Sequence, residues 1–425
     1  MTLPQKPLKI ALVTRRYPPL IGGAERVVSY LAEALALEGA RVSLLTSRPT
    51  DPKQILPSHE MIDLASSSRK SKKDRDEVGS LEIVRLGTSR IRVVGTWLYM
   101  RNLERWFAHN PVDIAYVSML KHDAYATLTA GERLGFPVVL RPEGAGATGD
   151  IAWQGWGNFG RKIGKKCRQA TAFVSISRAI EDELKTAWRS GTMRDESRRE
   201  DSSDSIDGPR IVSIPNGVPI PEASWQVRPG WKASPRAVFV GRLAPEKGLD
   251  TLVSAWPIVR KSFPEARLTL IGEGPERTRL EEQARSLGLE QSVELPGAEI
   301  PEQVTDRLRQ SDLFVLPSRE EGMSVALLEA IALGIPVVAS SIPGNRRLIL
   351  EFKNGRLAPV DDPEGLAKVI IEQWSVFDRA FHMSRAARAR VEREYSIAAI
   401  ARKHLELFRR LIDENQSNSF PTRQP

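Results

Sequence analysis

The chain has 425 residues, 41% hydrophobic and 27% charged, the balance of an ordinary globular protein long enough for two domains. Its only cysteine, Cys167, excludes an intramolecular disulfide and any cysteine-based zinc site, and fits a reducing cytoplasm. The net charge of +9 is uneven, with 33 Lys and Arg against 25 Asp and Glu through residue 215 and 29 against 28 beyond it.

The opening residues, Met1 to Lys9, lead straight into a strand and lack a signal-peptide core. No apolar run approaches the roughly 18 residues that span a bilayer. The basic first half suits an anionic partner, whether nucleic acid, anionic lipid or a phosphorylated acceptor. Composition alone leaves a plain basic surface equally open.

In chain order, Lys9 to Thr14 reads as a buried strand and Arg15 to Gly23 as a turn-rich loop. Ala24 to Leu37 carries Val27, Val28, Leu31 and Leu35 at helical spacing, Gly39 stops it, and Arg41 to Thr46 is the next strand. This β-loop-α-β unit opens a parallel sheet. Further strands are expected at 81–86, 113–118, 137–141, 172–176 and 211–214. Pro215-Asn-Gly-Val-Pro-Ile-Pro221 marks the exit from the first domain. A second alternating series follows, with strands at 237–240, 266–271, 292–295, 312–316 and 336–339 and helices over 248–261 and 276–287. Two Ser-rich charged segments, 66–77 and 194–207, lack apolar periodicity and read as solvated insertions.

The residues that carry chemistry cluster at the carboxyl ends of the second-domain strands, where open α/β sheets bind ligands. Glu321 lies in the loop after the 312–316 strand, and Glu329 eight residues further on, in the helix that ends at Gly334. Two carboxylates facing one crevice suit a ligand rich in hydroxyls; a solvated loop Glu and a helix Glu remain the plainer alternative. Gly241-Arg-Leu-Ala-Pro-Glu-Lys-Gly248 places Arg242 and Lys247 beside a helix N-terminus, which together suit a diphosphate or, more plainly, a basic turn paired with Glu246. Gly272 and Gly274, in Ile271-Gly-Glu-Gly-Pro275, let a ligand approach the backbone closely. Gly22 and Gly23 offer amides before the first helix, or form only a tight turn.

Taken in order, Gly22-Gly-Ala-Glu25, Ser175-Ile-Ser177, Ile214-Pro-Asn-Gly-Val218, Gly241 to Gly248, Ile271 to Pro275, Leu316-Pro-Ser318 and the Glu321/Glu329 pair resemble a family-4 retaining glycosyltransferase. The resemblance covers roughly residues 8 to 370. It implies the α/β GT-B architecture: two Rossmann-like doubly wound domains facing a cleft, with a C-terminal helix crossing back to the N-terminal domain. The expected division is 1–217 for acceptor binding, 218–390 for the nucleotide sugar, 391–412 for the returning helix and 413–425 for a disordered tail.

On this resemblance Arg242 and Lys247 bind the donor diphosphate. Glu321 meets the transferred sugar, Glu329 the ribose hydroxyls, and the amides from Gly322 through Met323 and Ser324 to Val325 cover sugar and phosphate. Gly241, Gly272 and Gly274 line the donor, and Gly22 and Gly23 approach its phosphates. Two positions depart from the family pattern: Glu143 stands near the place of a common histidine, leaving it as an acceptor or sugar contact, and Arg347 stands where a glutamate is common.

The expected enzyme is a retaining hexosyltransferase moving sugar from a UDP- or GDP-sugar to a hydroxyl of a glycan or lipid-linked glycan. A nucleotide-sugar epimerase or phosphorylase on the same architecture, or a basic nucleic-acid-binding protein, are the alternatives, and no nucleic-acid recognition motif is present. No cofactor or metal is expected, because the five histidines show no metal-ligand spacing. Two aromatic-basic stretches, 90–107 and 151–166, suit either a helix packed on the sheet or peripheral contact of the basic half with an anionic membrane.

Overall fold

The computed structural model describes residues 6–17, 23–50, 56–64, 79–146, 149–189, 208–351 and 353–419. Gly22, the segments 66–77 and 194–207, and the last six residues lie outside the described residues. The chain divides into two compact units, Met1–Asn216 with Ile397–Pro425, and Gly217–Ser396.

The first unit holds an eight-stranded sheet. Its strands are β1 (Lys9–Val13), β2 (Arg41–Ser47), β3 (His59–Ile62), β4 (Ser80–Leu86), β5 (Ile114–Ser118), β6 (Val138–Arg141), β7 (Ala172–Ser175) and β8 (Ile211–Ser213). Their spatial order is β3-β4-β2-β1-β5-β6-β7-β8, and β3 alone runs antiparallel, against β4. The inner strands are nearly continuous apolar runs because both faces of the sheet are covered. Side chains alternate between those faces. Ile10, Leu12, Ile114 and Tyr116 join the core that holds helices α1 (Gly23–Leu37) and α14 (Ile397–Ser419). Ala11, Val13, Ala115 and Val117 join the opposite core, with α2 (Arg92–His109), α3 (His122–Leu134), α5 (Gly157–Cys167) and α6 (Arg178–Arg189). A short helix, α4 (Asp150–Gln154), precedes α5.

The second unit has six parallel strands: β9 (Arg236–Val240), β10 (Arg267–Ile271), β11 (Val293–Gly297), β12 (Leu313–Leu316), β13 (Val337–Ser340) and β14 (Arg356–Ala358). Their order, β11-β10-β9-β12-β13-β14, reverses between β9 and β12. That topological switch point places the loops after β9 and β12 side by side. Helices α7 (Leu249–Ser262), α8 (Arg277–Ser286), α9 (Pro301–Arg309), α10 (Val325–Leu333), α11 (Pro343–Leu348), α12 (Pro363–Ser375) and α13 (Phe377–Glu394) connect and cover the strands. Trp256 of α7 meets Trp374 of α12 edge to face at 6.2 Å.

The last helices differ from the sequence expectation. α13 ends at Glu394, and the chain leaves the second unit through Tyr395 and Ser396, where Val218 N–H donates to Tyr395 O at 3.0 Å. The final helix therefore spans Ile397–Ser419 rather than 391–412, and it extends into the stretch read as a tail. Contacts within the first unit hold that extension: Arg210 pairs with Glu414, and Asn415 donates to Gly135 O at 2.9 Å.

Candidate active site

The two loops at the switch point of the second unit carry most of the candidate residues. Behind β9 the chain passes Gly241 and Arg242, then forms a 3-10 turn at Pro245–Lys247 before Gly248 admits α7. Behind β12 it passes Ser318 and Glu321 before α10. Lys247 Nζ donates to Glu321 Oε1 at 2.7 Å, and the Ser318 hydroxyl donates to the same oxygen at 2.8 Å. The Lys247 and Glu321 side chains are only 21% and 10% exposed, so the pair is partly shielded from water. Arg242 is exposed, and its guanidinium forms no ion pair among the described residues.

α10 begins with Ser324, whose hydroxyl accepts from Leu327 N–H at 3.3 Å as an N-cap. Met323, Ser324 and Val325 are buried, Gly322 half-buried, and Glu329 half-buried about one turn into the helix. The loop is held from the β13 side as well. Ser340 donates its hydroxyl to Ser318 O, and Asn345 Nδ2 donates to Ser340 O at 2.9 Å. A Cβ at Gly344 would strike the carbonyl of Glu321, so α11 lies directly against the loop.

Gly272 and Gly274 have a packing role of their own. Gly272 takes a φ of +144°, and a Cβ there would strike Gly241 O; at Gly274 it would strike Leu243 O. Neighbouring backbone, held by Leu243 N–H to Glu273 O at 2.9 Å and Glu276 N–H to Leu243 O at 3.0 Å, fills the space that each missing side chain leaves. These glycines therefore let the β9 and β10 loops lie against one another.

In the first unit Gly23 is the exposed first residue of α1. Glu143 follows β6 and sits inside a polar network. Its carboxylate accepts from the Ser118 hydroxyl and the Arg141 guanidinium, while its N–H donates to Asp150 Oδ2 at 3.0 Å. Arg141 also donates to Asn216 Oδ1 at 2.7 Å, and Lys121 lies 3.6 Å from Asp150. Burial raises the Glu143 carboxyl above its ordinary range, with Arg141 and Ser118 offsetting only part. Burial likewise pushes Asp123 up to about 6, with Arg15, 3.8 Å away, offsetting only part.

Sequence reasoning passed over Ser118, Arg141 and Asp150 as site residues; their signal is position, at or just beyond the carboxyl ends of β5 and β6. Arg347, at the other atypical position, is half-buried in α11, and its carbonyl accepts from Arg390 at 3.1 Å. Cys167 is fully buried and its thiol pushed up to about 12, which leaves it unreactive. Among the described residues no cluster of three or more His, Cys, Asp or Glu could hold a metal, and no helix is long and apolar enough to cross a membrane.

Comparison with known proteins places this arrangement. The family described as Glycosyl transferases group 1 matches residues 225–390, and the Glycosyl transferase 4-like domain matches residues 22–194. The chain is 26% identical to glycogen synthase from Mycobacterium tuberculosis over 405 residues, 93% of this chain and 92% of that protein. It is 35% identical to an exopolysaccharide phosphotransferase from Streptomyces coelicolor over 38% of this chain, a match that spans only 17% of that relative. Sucrose-phosphate synthase from Thermosynechococcus elongatus has the same fold, with a TM-score of 0.72 over 96% of this chain and all of that one, at 21% identity. HepE from Anabaena in complex with UDP-glucose aligns over 97% of this chain and all of that one, with a TM-score of 0.67 at 16% identity.

Proposed function

The chain belongs to the group 1 glycosyltransferases of GT-B fold, and from that premise we propose that it moves a sugar from a UDP- or GDP-sugar to a hydroxyl acceptor with retention of configuration. The observation that carries this reading is the Lys247–Glu321 pair at the switch point of the second unit. Arg242 and Lys247 neutralise the donor diphosphate, whose charge grows as its bond to the sugar breaks. Glu321 meets hydroxyls of the transferred sugar, Glu329 meets those of the ribose, and the N-terminal amides of α10 cover the phosphates. The UDP-glucose bound by HepE supports a nucleotide-sugar donor.

The bond from the anomeric carbon to the diphosphate breaks and a bond to the acceptor oxygen forms. The acceptor proton passes to the departing phosphate, so no side-chain base is required. No metal is assigned, because the two cations and the helix amides carry the charge balance.

The acceptor is a glycan or lipid-linked glycan bound by the first unit, with Glu143 contacting acceptor or sugar. Exposed Ile91, Val93, Val94, Trp97 and Trp156 lie near Arg101, Arg105 and Lys162 in sequence, which supports peripheral contact with an anionic membrane on the cytoplasmic side. Vesicle flotation tests this: binding to phosphatidylglycerol vesicles that is absent with phosphatidylcholine upholds it, and no binding to either refutes it.

The central experiment substitutes Glu321→Ala and Lys247→Ala separately. Each abolishes transfer from the nucleotide sugar while circular dichroism stays unchanged; normal turnover in both overturns the assignment. Thermal shifts with UDP-, GDP- and ADP-sugars identify the donor by mass action, and the anomeric signal of the product reports retention.

A further inference from the structure

Arg319 stands two residues before Glu321 in the loop after β12, yet its contacts run toward the β9 side of the switch point. Its backbone N–H donates to Glu246 O at 2.8 Å, and Nη1 donates to Pro245 O at 2.5 Å. Both acceptors belong to the 3-10 turn that ends in Lys247. Nη2 reaches Asp250 Oδ2 at 3.0 Å in the first turn of α7, and Nε reaches Asp361 Oδ1 at 2.7 Å. Thr251 steadies Asp361 through a 3.3 Å hydrogen bond, and Asp361 takes a φ of +54°, in the left-handed region where Asp is among the better-tolerated residues. One planar guanidinium thus gathers three segments of chain, using donors in fixed directions that an ammonium lacks.

These contacts also exclude a simpler role for Arg319 as a phosphate ligand. Each of its three nitrogens already donates to protein. The polar groove beside it, about 670 Å³ in volume, is lined by the carboxylates of Asp250, Asp361 and Glu282 against the single further cation Arg279, an acidic balance that disfavours an anion. Burial raises Asp250, but the Arg319 hydrogen bond and charge outweigh it and leave the carboxyl below its ordinary range. The Arg319–Asp250 contact is therefore charge-assisted.

We propose that Arg319 is a positioning residue for the donor site. By tying the turn that carries Lys247 to the loop that carries Glu321, it fixes the spacing of those two side chains before a nucleoside diphosphate binds. The inference rests on the donor reading given above. It assigns Arg319 no contact with substrate; its effect passes through Lys247, because misplacing a binding group by about 1 Å removes much of its contribution.

Isothermal titration of the full chain with UDP and with GDP tests it, using wild type, Arg319→Ala, Lys247→Ala and the double variant. Arg319→Ala is expected to weaken diphosphate binding about tenfold and to lower kcat by at least as much, because the group it positions acts on charge that develops in the transition state. In the Lys247→Ala background the same change is expected to add less than twofold, since the group it positions is gone. Arg319→Lys, which keeps the charge without the fork, remains at least fivefold weaker than wild type. Unchanged affinity in Arg319→Ala, an equal loss with and without Lys247, or full recovery in Arg319→Lys overturns the proposal. Unchanged affinity in Lys247→Ala overturns the donor reading instead, as does failure of wild type to bind either nucleotide. If Arg319→Ala fails to fold, Asp250→Ala removes one tie alone and is expected to weaken binding about threefold, again only when Lys247 is present; no loss overturns the proposal.

Discussion

Replacing Lys247 by Met separates what its pairing does for the fold from what it does for the ligand. The charge removed lies 2.7 Å from Glu321, in a pair whose side chains are 21% and 10% exposed. Exposed pairs contribute about 0–1 kcal/mol, whereas removing one partner of a fully buried pair costs about 3–5 kcal/mol. This pair lies between those limits, and Ser318 still donates to the orphaned carboxylate, so about 2 kcal/mol is the expected loss. For a unit of roughly this size that lowers the melting temperature by about 4–8 °C. Adding Glu321→Gln removes the unpaired charge and is expected to recover about half of the loss. Transfer behaves oppositely: each single variant and the double lose about a hundredfold or more in kcat, because Lys247 acts on charge that develops in the transition state. Differential scanning calorimetry on the four proteins gives the stability cycle, and initial rates with the donor found by thermal shift give the activity cycle. A melting temperature unchanged in Lys247→Met shows that the pair does not form in solution. Recovery of turnover in the double variant refutes the role of Lys247 at the diphosphate.

Ending the chain after Ser396 removes α14, which buries Ile400, Leu405, Leu407, Phe408, Leu411 and Ile412. At about 1.5–3 kcal/mol each, these residues contribute about 10 kcal/mol, comparable to the whole stability of a domain. Calorimetry of the truncated chain is expected to lose the transition of the first unit, and retention of that transition refutes the estimate. Burial holds His404 near 4 against an ordinary 6.5, with Arg141 adding to the depression. Between pH 6.5 and 4 the unfolded chain therefore binds a proton that the native state refuses, and stability falls with pH by up to about 3 kcal/mol from this group. His404→Gln flattens that slope relative to wild type in denaturant titrations across the window; an identical slope refutes it. Transfer is expected to persist within twofold in excess EDTA, and a loss restored by added magnesium overturns the metal-free charge balance.

The loop from Ser318 to Glu321 was legible because an apolar strand precedes it, an Ala/Leu-rich helix follows, and Gly334 stops that helix with a φ of +94°. That Lys247 and Glu321 touch was not, since they are 74 positions apart and only the strand order brings them together. Strand β3 alternates between exposed and half-buried residues and offers no apolar run, so nothing local distinguished it from a loop. The break between α13 and α14 is Tyr395 and Ser396, with neither Gly nor Pro to announce it. Both flanking helices are amphipathic, so the apolar periodicity runs across the break without marking it. The glycines at 272 and 274 were visible, yet a sequence gives no sign of which atoms occupy the space above a missing side chain.

The first unit is discontinuous, with the second unit inserted between Asn216 and Ile397. During synthesis the sheet face formed by Ile10, Leu12, Ile114 and Tyr116 therefore emerges long before the helix that completes its cover. At about 5–20 residues per second, the intervening stretch keeps that face incompletely covered for roughly 10–40 s on the ribosome. The second unit is continuous and suffers no such delay. The half of the protein encoded first is thus the half that finishes folding last, and it is the half whose nascent chain needs protection from aggregation.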